Sequence, residues 1–120
     1  MATHNDLGNY GEKLAIAYLV SHGYKILETN WQFKHLEIDI IAQIESFIVF
    51  VEVKTRKTSY FGEPFTFVTV SKQKNIINAA NGYINRFNIE DEARFDIISV
   101  LYNNHQKDIQ HIEDAFYPRM

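Results

Sequence analysis

The stretch IVFVEVKTR, residues 48–56, decides how the chain is read. It opens as a buried β-strand, and then Glu52 and Lys54 appear two positions apart. Side chains in a strand alternate between faces, so residues i and i+2 share one. Ile48, Phe50, Glu52, Lys54 and Arg56 therefore line one face, and Val49, Val51, Val53 and Thr55 the other. The second face is apolar along most of its length. The first turns charged halfway, as though the strand left the core at a place that requires charge.

The preceding residues supply its partner. Residues 37–44 read as a strong strand, and Glu45-Ser46 as a two-residue hairpin turn. That turn sets Ile44 against Phe47, so paired residue numbers sum to 91 and Asp39 falls opposite Glu52, Glu37 opposite Lys54. All four share a face with Ile41 and Phe50. Two carboxylates facing each other in a sheet repel, and desolvation near a core raises the cost. Lys54 offsets part of it; a divalent cation would offset more, because Mg²⁺ favours carboxylate oxygens and keeps several waters. The plain alternative is an exposed ladder, Glu37 with Lys54 and Asp39 with Arg56, worth under about 1 kcal/mol per pair. It accounts poorly for charges set between Ile40, Ile41, Phe50 and Val51.

Outward from this hairpin, residues 7–22 carry Leu7, Tyr10, Leu14, Ala17, Tyr18 and Leu19 at helical spacing, stopped by Gly23. Residues 24–33 predict a strand and 57–70 a partly extended loop with Gly62 and Pro64. Ser71 is a candidate N-cap for a helix with an apolar stripe of Ile76, Ala80, Tyr83, Ile84 and Phe87. Residues 95–102 form a near-continuous apolar run, as in a strand buried on both faces, and 109–116 predict a last, edge strand. Three consecutive strands make an antiparallel meander, and the second helix returns the chain parallel to the third strand. The expected fold is α/β, a mixed five-stranded sheet flanked by helices.

The 120 residues fit one domain, with 15 acidic and 12 basic side chains and a net charge of −3. An acidic balance argues against a nucleic-acid partner, but its distribution does not. Residues 1–52 and 88–120 carry −4 each, whereas Lys54, Arg56, Lys57, Lys72 and Lys74 gather in between. With no cysteine, disulfides and thiolate metal sites are excluded. No run reaches the roughly 20 apolar residues of a membrane span, and the N-terminus lacks a signal-peptide pattern, so the expectation is a soluble cytoplasmic protein.

A third acid, Glu12, sits beside the apolar stripe of the first helix, where Asn9-x-x-Glu12 also fits a capping box. Lys72, Gln73 and Lys74 open the second helix, where free N–H groups and the dipole favour phosphate; Gln73 shares a face with Ile76 and Ala80. Tyr60, Phe61, Phe65 and Phe67 could stack on unpaired bases or serve as core or dimer contacts. Asp96 reads as an ion-pair partner of Arg94. The five histidines show no metal-ligand spacing.

The segments GNYGE (8–12), NW followed by EIDIIA (30–42), FVEVKTR (50–56), FGEP (61–64), VT with KQ (68–73) and RFDIISV (94–100) together resemble the YraN family, along nearly the whole chain. These small bacterial proteins are expected to have the restriction-endonuclease-like fold and to be akin to Holliday-junction resolvases. The resemblance implies a metal-dependent nuclease site. Asp39 matches the acid of the second strand, Glu52 and Lys54 the acid and lysine of the third, and Glu12 the helix acid that resolvases add. Leu36 departs from the glycine the family usually has before EID.

Such residues would hold Mg²⁺ or Mn²⁺ on Asp39 and Glu52, with the Val53 carbonyl as a further ligand and Glu12 acting through water. Arg56, Lys57, Lys72, Gln73 and Lys74 would meet the phosphates of branched or structured DNA, and by analogy with resolvases a homodimer is implied. The same fold could instead serve as a nucleic-acid-binding module with a weak or vestigial site, or as a protein-interaction domain.

Overall fold

The structure is a computed structural model that describes residues 4–57 and 68–118; the expected loop aromatics Tyr60, Phe61, Phe65 and Phe67 lie outside them. Its elements run α1 (His4–Ser21), β1 (Lys25–Phe33), β2 (Leu36–Ile44), β3 (Phe47–Arg56), α2 (Val70–Phe87), β4 (Glu92–Tyr102) and β5 (Lys107–Phe116). The strands form one sheet in the order β1-β2-β3-β4-β5. Only β3 and β4 run parallel, joined through α2; the other neighbours are antiparallel. The mixed α/β sheet with helices on its faces is the predicted one.

Alternation sorts the side chains into two cores. Ile41, Ile48, Phe50, Phe95 and Ile97 pack under α2 with Ile76, Ala79, Ala80 and Tyr83. Ile40, Ala42, Val49, Val51, Ile98 and Val100 pack under α1 with Ala15 and Leu19. The β4 segment from Phe95 to Leu101 is buried throughout, because a helix covers each face.

Two glycines allow the helices to sit close. A Cβ at Gly11 would overlap the Thr55 side chain, so α1 lies directly on the end of β3, and a Cβ at Gly82 would overlap the Phe33 ring, so α2 does the same on β1.

Three expectations are corrected. Thr69, not Ser71, caps α2: its side chain accepts the Lys72 N–H at 3.1 Å, while Ser71 lies inside the first turn. Phe87 closes the predicted stripe but is 46 % exposed; Ala79 is buried instead. Asn9 lies within α1, which begins at His4, so Asn9 and Glu12 form no capping box. Leu36 simply opens β2 opposite Phe33 and packs against the α2-side core, outside the positive-φ residues.

The hairpin count holds from Ile44–Phe47 to Ile40–Val51 and then stops. Ile40 faces α1, yet Ile38, two residues away, faces α2. Alternation therefore breaks at Asp39. The irregularity extends to β1, where Asn30 lies between the pairs Thr29–Ile40 and Trp31–Ile38 at φ 49°. The β2–β3 ladder ends before Glu37, which pairs with Gln32 of β1 and has no ladder partner at Lys54.

A second polar group is buried on the α1 side of β4. Asp96, fully buried, accepts from Arg94 Nε at 3.0 Å and Nη2 at 2.8 Å, and from the Asp114 N–H at 3.0 Å. His111 Nε2 lies 2.7 Å from the same carboxylate, and its Nδ1 lies 3.2 Å from the Tyr18 hydroxyl of α1. Arg94 also donates to the Tyr24 hydroxyl at 2.6 Å. Burial alone would raise the Asp96 pKa; the His111, Arg94 and Asp114 hydrogen bonds together outweigh it and hold the group below its ordinary value. Its stabilising contribution is thus present above the unfolded carboxyl pKa and lost as pH falls through the lowered one. Asp96→Ala should cost about 3–5 kcal/mol, measured by urea unfolding at neutral pH, because it breaks a buried ion pair and takes the shared acceptor from His111 and the Asp114 N–H, while Arg94 keeps the Tyr24 hydroxyl and the exposed Glu113 at 3.2 Å. The variant should also lose stability less steeply than the wild type as pH falls below the ordinary carboxyl range.

Candidate metal and nucleic-acid site

Beyond the Ile40–Val51 pair the β2–β3 ladder no longer pairs backbone with backbone, and the Asp39 carboxylate fills in. Its Oδ2 accepts the Val53 N–H at 2.8 Å. This brings Asp39 against Glu52, whose alternation points it to the α2 side at 7 % exposure. The two acids converge because of the kink, not as ladder partners. Lys72 of α2 reaches the pair from that side, its Nζ 3.4 Å from Glu52 Oε1.

On the α1 side a cleft of about 280 Å³ is lined by Leu7, Gly8, Glu12, Asp39, Glu52, Val53, Lys54 and Thr55. A second cleft on the α2 side brings His35, Leu36, Glu37, Asp39, Lys72, Asn75 and Ile76 together. Asp39 borders both, as its place in the opening between two strands requires. Glu12 reaches the α1-side cleft because Gly11 seats its helix on β3, and Asn30 Nδ2 donates to its Oε1 at 2.8 Å. The residue at the β1 kink thus orients the acid on the helix. Lys54 is exposed at the mouth of this cleft.

The sequence-predicted phosphate ligands divide. Lys72 stands at the acids. Gln73, expected among the groups that meet phosphate, instead donates from Nε2 to the Val68 carbonyl at 3.1 Å and secures the start of α2. Lys74 lines a separate groove with Val70, Ile77, Asn78, Tyr117 and Pro118. Lys57 is exposed past the end of β3, its carbonyl accepting from Asn103 at 2.8 Å, and Arg56 is half-buried beside it. Sequence reasoning missed Asn30, whose role depends on a positive φ, and the approach of Lys72 to Glu52. It also missed His111, because its partner Asp96 is on another strand.

The charges at the pair oppose ionisation. Desolvation, and then the Glu52 charge, push Asp39 up to about 7. Desolvation also raises Glu52, against the pull of Lys72 and Lys54. Glu12 is raised by burial as well, opposed by its Asn30 hydrogen bond. The folded protein therefore binds more protons than the unfolded chain between the ordinary Asp pKa and about 7, so this pair makes stability fall as pH rises through that window. Asparagine at position 39 can still accept from Val53 while donating to Glu52. Asp39→Asn should raise the stability of metal-free protein at pH 8 by on the order of 1 kcal/mol, flatten that pH dependence, and remove thermal stabilisation by Mn²⁺. Thermal unfolding from pH 4 to 8 with and without the metal measures all three.

Among the described residues, no helix is long and apolar enough to cross a membrane. The sequence model of the family described as "Uncharacterised protein family UPF0102" matches residues 11–100, which contain Glu12, Asp39, Glu52, Lys54 and Lys72. A UPF0102 protein of Flavobacterium psychrophilum is 50 % identical over 117 residues, covering 98 % of both chains. One from Bacteroides thetaiotaomicron is 47 % identical over 118 residues with the same coverage. Another, from Parabacteroides distasonis, is 46 % identical over 117 residues, covering 98 % of this chain and 97 % of its own. At this identity and coverage the chain belongs to the UPF0102 family, to which the name YraN also refers.

Proposed function

We propose that this protein is a divalent-cation-dependent endonuclease that hydrolyses phosphodiesters in branched or structured DNA. The observation that carries the reading is the pairing of Asp39 with Glu52, two carboxyl groups kept close at the diverging ends of β2 and β3 despite the cost. A purely structural pair would gain from losing one charge; a pair that takes up a cation needs both. Hard carboxylate oxygens beside the Val53 carbonyl suit Mg²⁺ or Mn²⁺. Among the described residues no group of three or more acids or histidines is arranged to hold an ion. The remaining coordination would therefore fall to water, which Mg²⁺ retains readily.

When bound, the ion would polarise the phosphodiester and lower the pKa of a bound water. The chain supplies the rest. Lys54, exposed beside Glu52, orients the attacking water or stabilises negative charge developing on the phosphate. Glu12, held by Asn30 at the α1 lip, would act on the ion through water. Asp39 keeps its Val53 hydrogen bond and so holds the strand ends at a fixed separation. Arg56, Lys57 and Lys72 extend the positive edge along which a backbone would lie. Such a substrate fits a cytoplasmic protein, and a two-fold branched DNA would favour a homodimer. A second reading, a nucleic-acid-binding module with a weak site, draws on one observation: Glu12 is engaged by Asn30, so two acids rather than three meet at one point.

Cleavage of labelled four-way junction, flap, single-stranded and duplex DNA with Mg²⁺ or Mn²⁺ separates the two. Lys54→Ala should slow cutting by about 10²–10³-fold while weakening binding about threefold or less. Neutralising Arg56 or Lys57 should instead reduce the salt slope of binding by about one for each phosphate left without its cation. Lys74→Ala, in its separate groove, should do less. Binding with such a slope but no cleavage by either metal would leave only the binding module, and neither binding nor cleavage would defeat both.

A further inference from the structure

Lys72 is the one feature of the site that neither chemistry nor phosphate binding alone explains. Its Nζ sits 3.4 Å from Glu52 Oε1, but the two side chains are in unlike surroundings, 52 % and 9 % exposed. The lysine backbone is fixed, since its N–H is bound by the Thr69 cap. Its four-carbon stem remains at the surface of the α2-side cleft, whereas Glu52 is enclosed. An ammonium so exposed is rehydrated at little cost when it leaves. A buried carboxylate is not, and needs another cation in its place.

We propose that Lys72 is a displaceable counter-ion of the Asp39–Glu52 pair: it holds the pair in metal-free protein, yields it to a divalent cation, and is thereby freed to meet a phosphate group of the nucleic acid. The inference rests on the nuclease reading above and deepens it. Lys72 and a divalent cation draw on the same negative charge. The ion can approach from the α1-side cleft, lined by Glu12, Val53 and Lys54, while Lys72 stands on the opposite side. As the ion neutralises the carboxylates, the attraction holding Lys72 falls, and the side chain is left at the first turn of α2 with its charge unspent. Metal and nucleic acid then bind cooperatively, each raising the affinity for the other by the same factor. Lysine suits this role better than arginine, whose planar fork would grip the carboxylate in two places.

Mn²⁺ titrations without DNA, followed by the loss of the free-ion paramagnetic resonance signal, test the first step on wild type, Lys72→Gln and Lys72→Arg. Lys72→Gln should bind Mn²⁺ about three- to tenfold more tightly than wild type, and Lys72→Arg should not bind more tightly than wild type. The second step is read by fluorescence anisotropy of a labelled four-way junction with and without Mn²⁺, in the Lys54→Ala background so that the probe stays intact. The gain in junction affinity on adding metal should shrink at least about threefold when Lys72→Gln is introduced. Circular dichroism confirms folding, which an exposed side chain should not disturb. Wild type binding Mn²⁺ with Lys72→Gln equal within twofold, or weaker, overturns this inference alone and leaves the nuclease reading standing. No Mn²⁺ binding by any of the three proteins overturns both.

Discussion

Two carboxyl groups pressed together at low exposure are the constraint on which the arrangement of this molecule depends. Left to itself the pair would push β2 and β3 apart or take up a proton, and burial drives both Asp39 and Glu52 toward the protonated state. The surroundings prevent separation. Asp39 replaces a backbone acceptor by taking the Val53 N–H, so the repelling group is also the one that ties the strand ends together. Glu52 is carried on a strand whose preceding four residues are buried, and its position follows from theirs. Charge neutralisation is then the remaining degree of freedom, open to a proton, an ammonium or a metal ion.

The two helices contribute in different ways because they approach opposite faces of the sheet. α1, lowered onto β3 at Gly11, presents an acid whose direction is fixed by Asn30; α2, begun by Thr69 and Gln73, presents a base on a flexible stem. The acid side is rigid and the basic side adjustable. That asymmetry is what the proposed function would require: a cation held in one geometry and a polymer of variable shape beside it. The network around Asp96 lies on the α1 face of β4 and joins α1 to β5 through Tyr18 and His111. It keeps the acid-bearing helix on the sheet without taking part in the site.

The sheet was readable from the residues because its signals are local. Alternation in β3, the two-residue turn and the apolar run of β4 each depend on near neighbours, and the register they imply holds across the hairpin as far as Ile40–Val51. What could not be read is the one-residue break at Asp39. It arises from a kink shared by two strands, with Asn30 in a left-handed conformation that asparagine tolerates but does not announce. The expected face-to-face pair was therefore replaced by a convergence of another kind. The α2 cap differs for a similar reason: Thr69 and Ser71 are chemically near-equivalent caps two residues apart, and residue type alone does not choose between them. Asp96 was legible as the partner of Arg94 because they sit two apart on one strand; its ties to His111 and Asp114 required the register of β5.

The kink also bears on why the strands end where they do. A regular hairpin extended to Glu37 and Lys54 would satisfy the backbone and spread the charges into an exposed ladder, with nothing left to bind an ion. Breaking the register at Asp39 gives up those cross-strand pairs and opens a cleft on each side of the sheet, with the same carboxylate bordering both. A local loss of sheet regularity thus turns a stabilising surface pattern into a site with two entrances, one lined by Glu12 and Lys54 and the other by Lys72. The strand changes character at Glu52 because the ladder beside it has just ended.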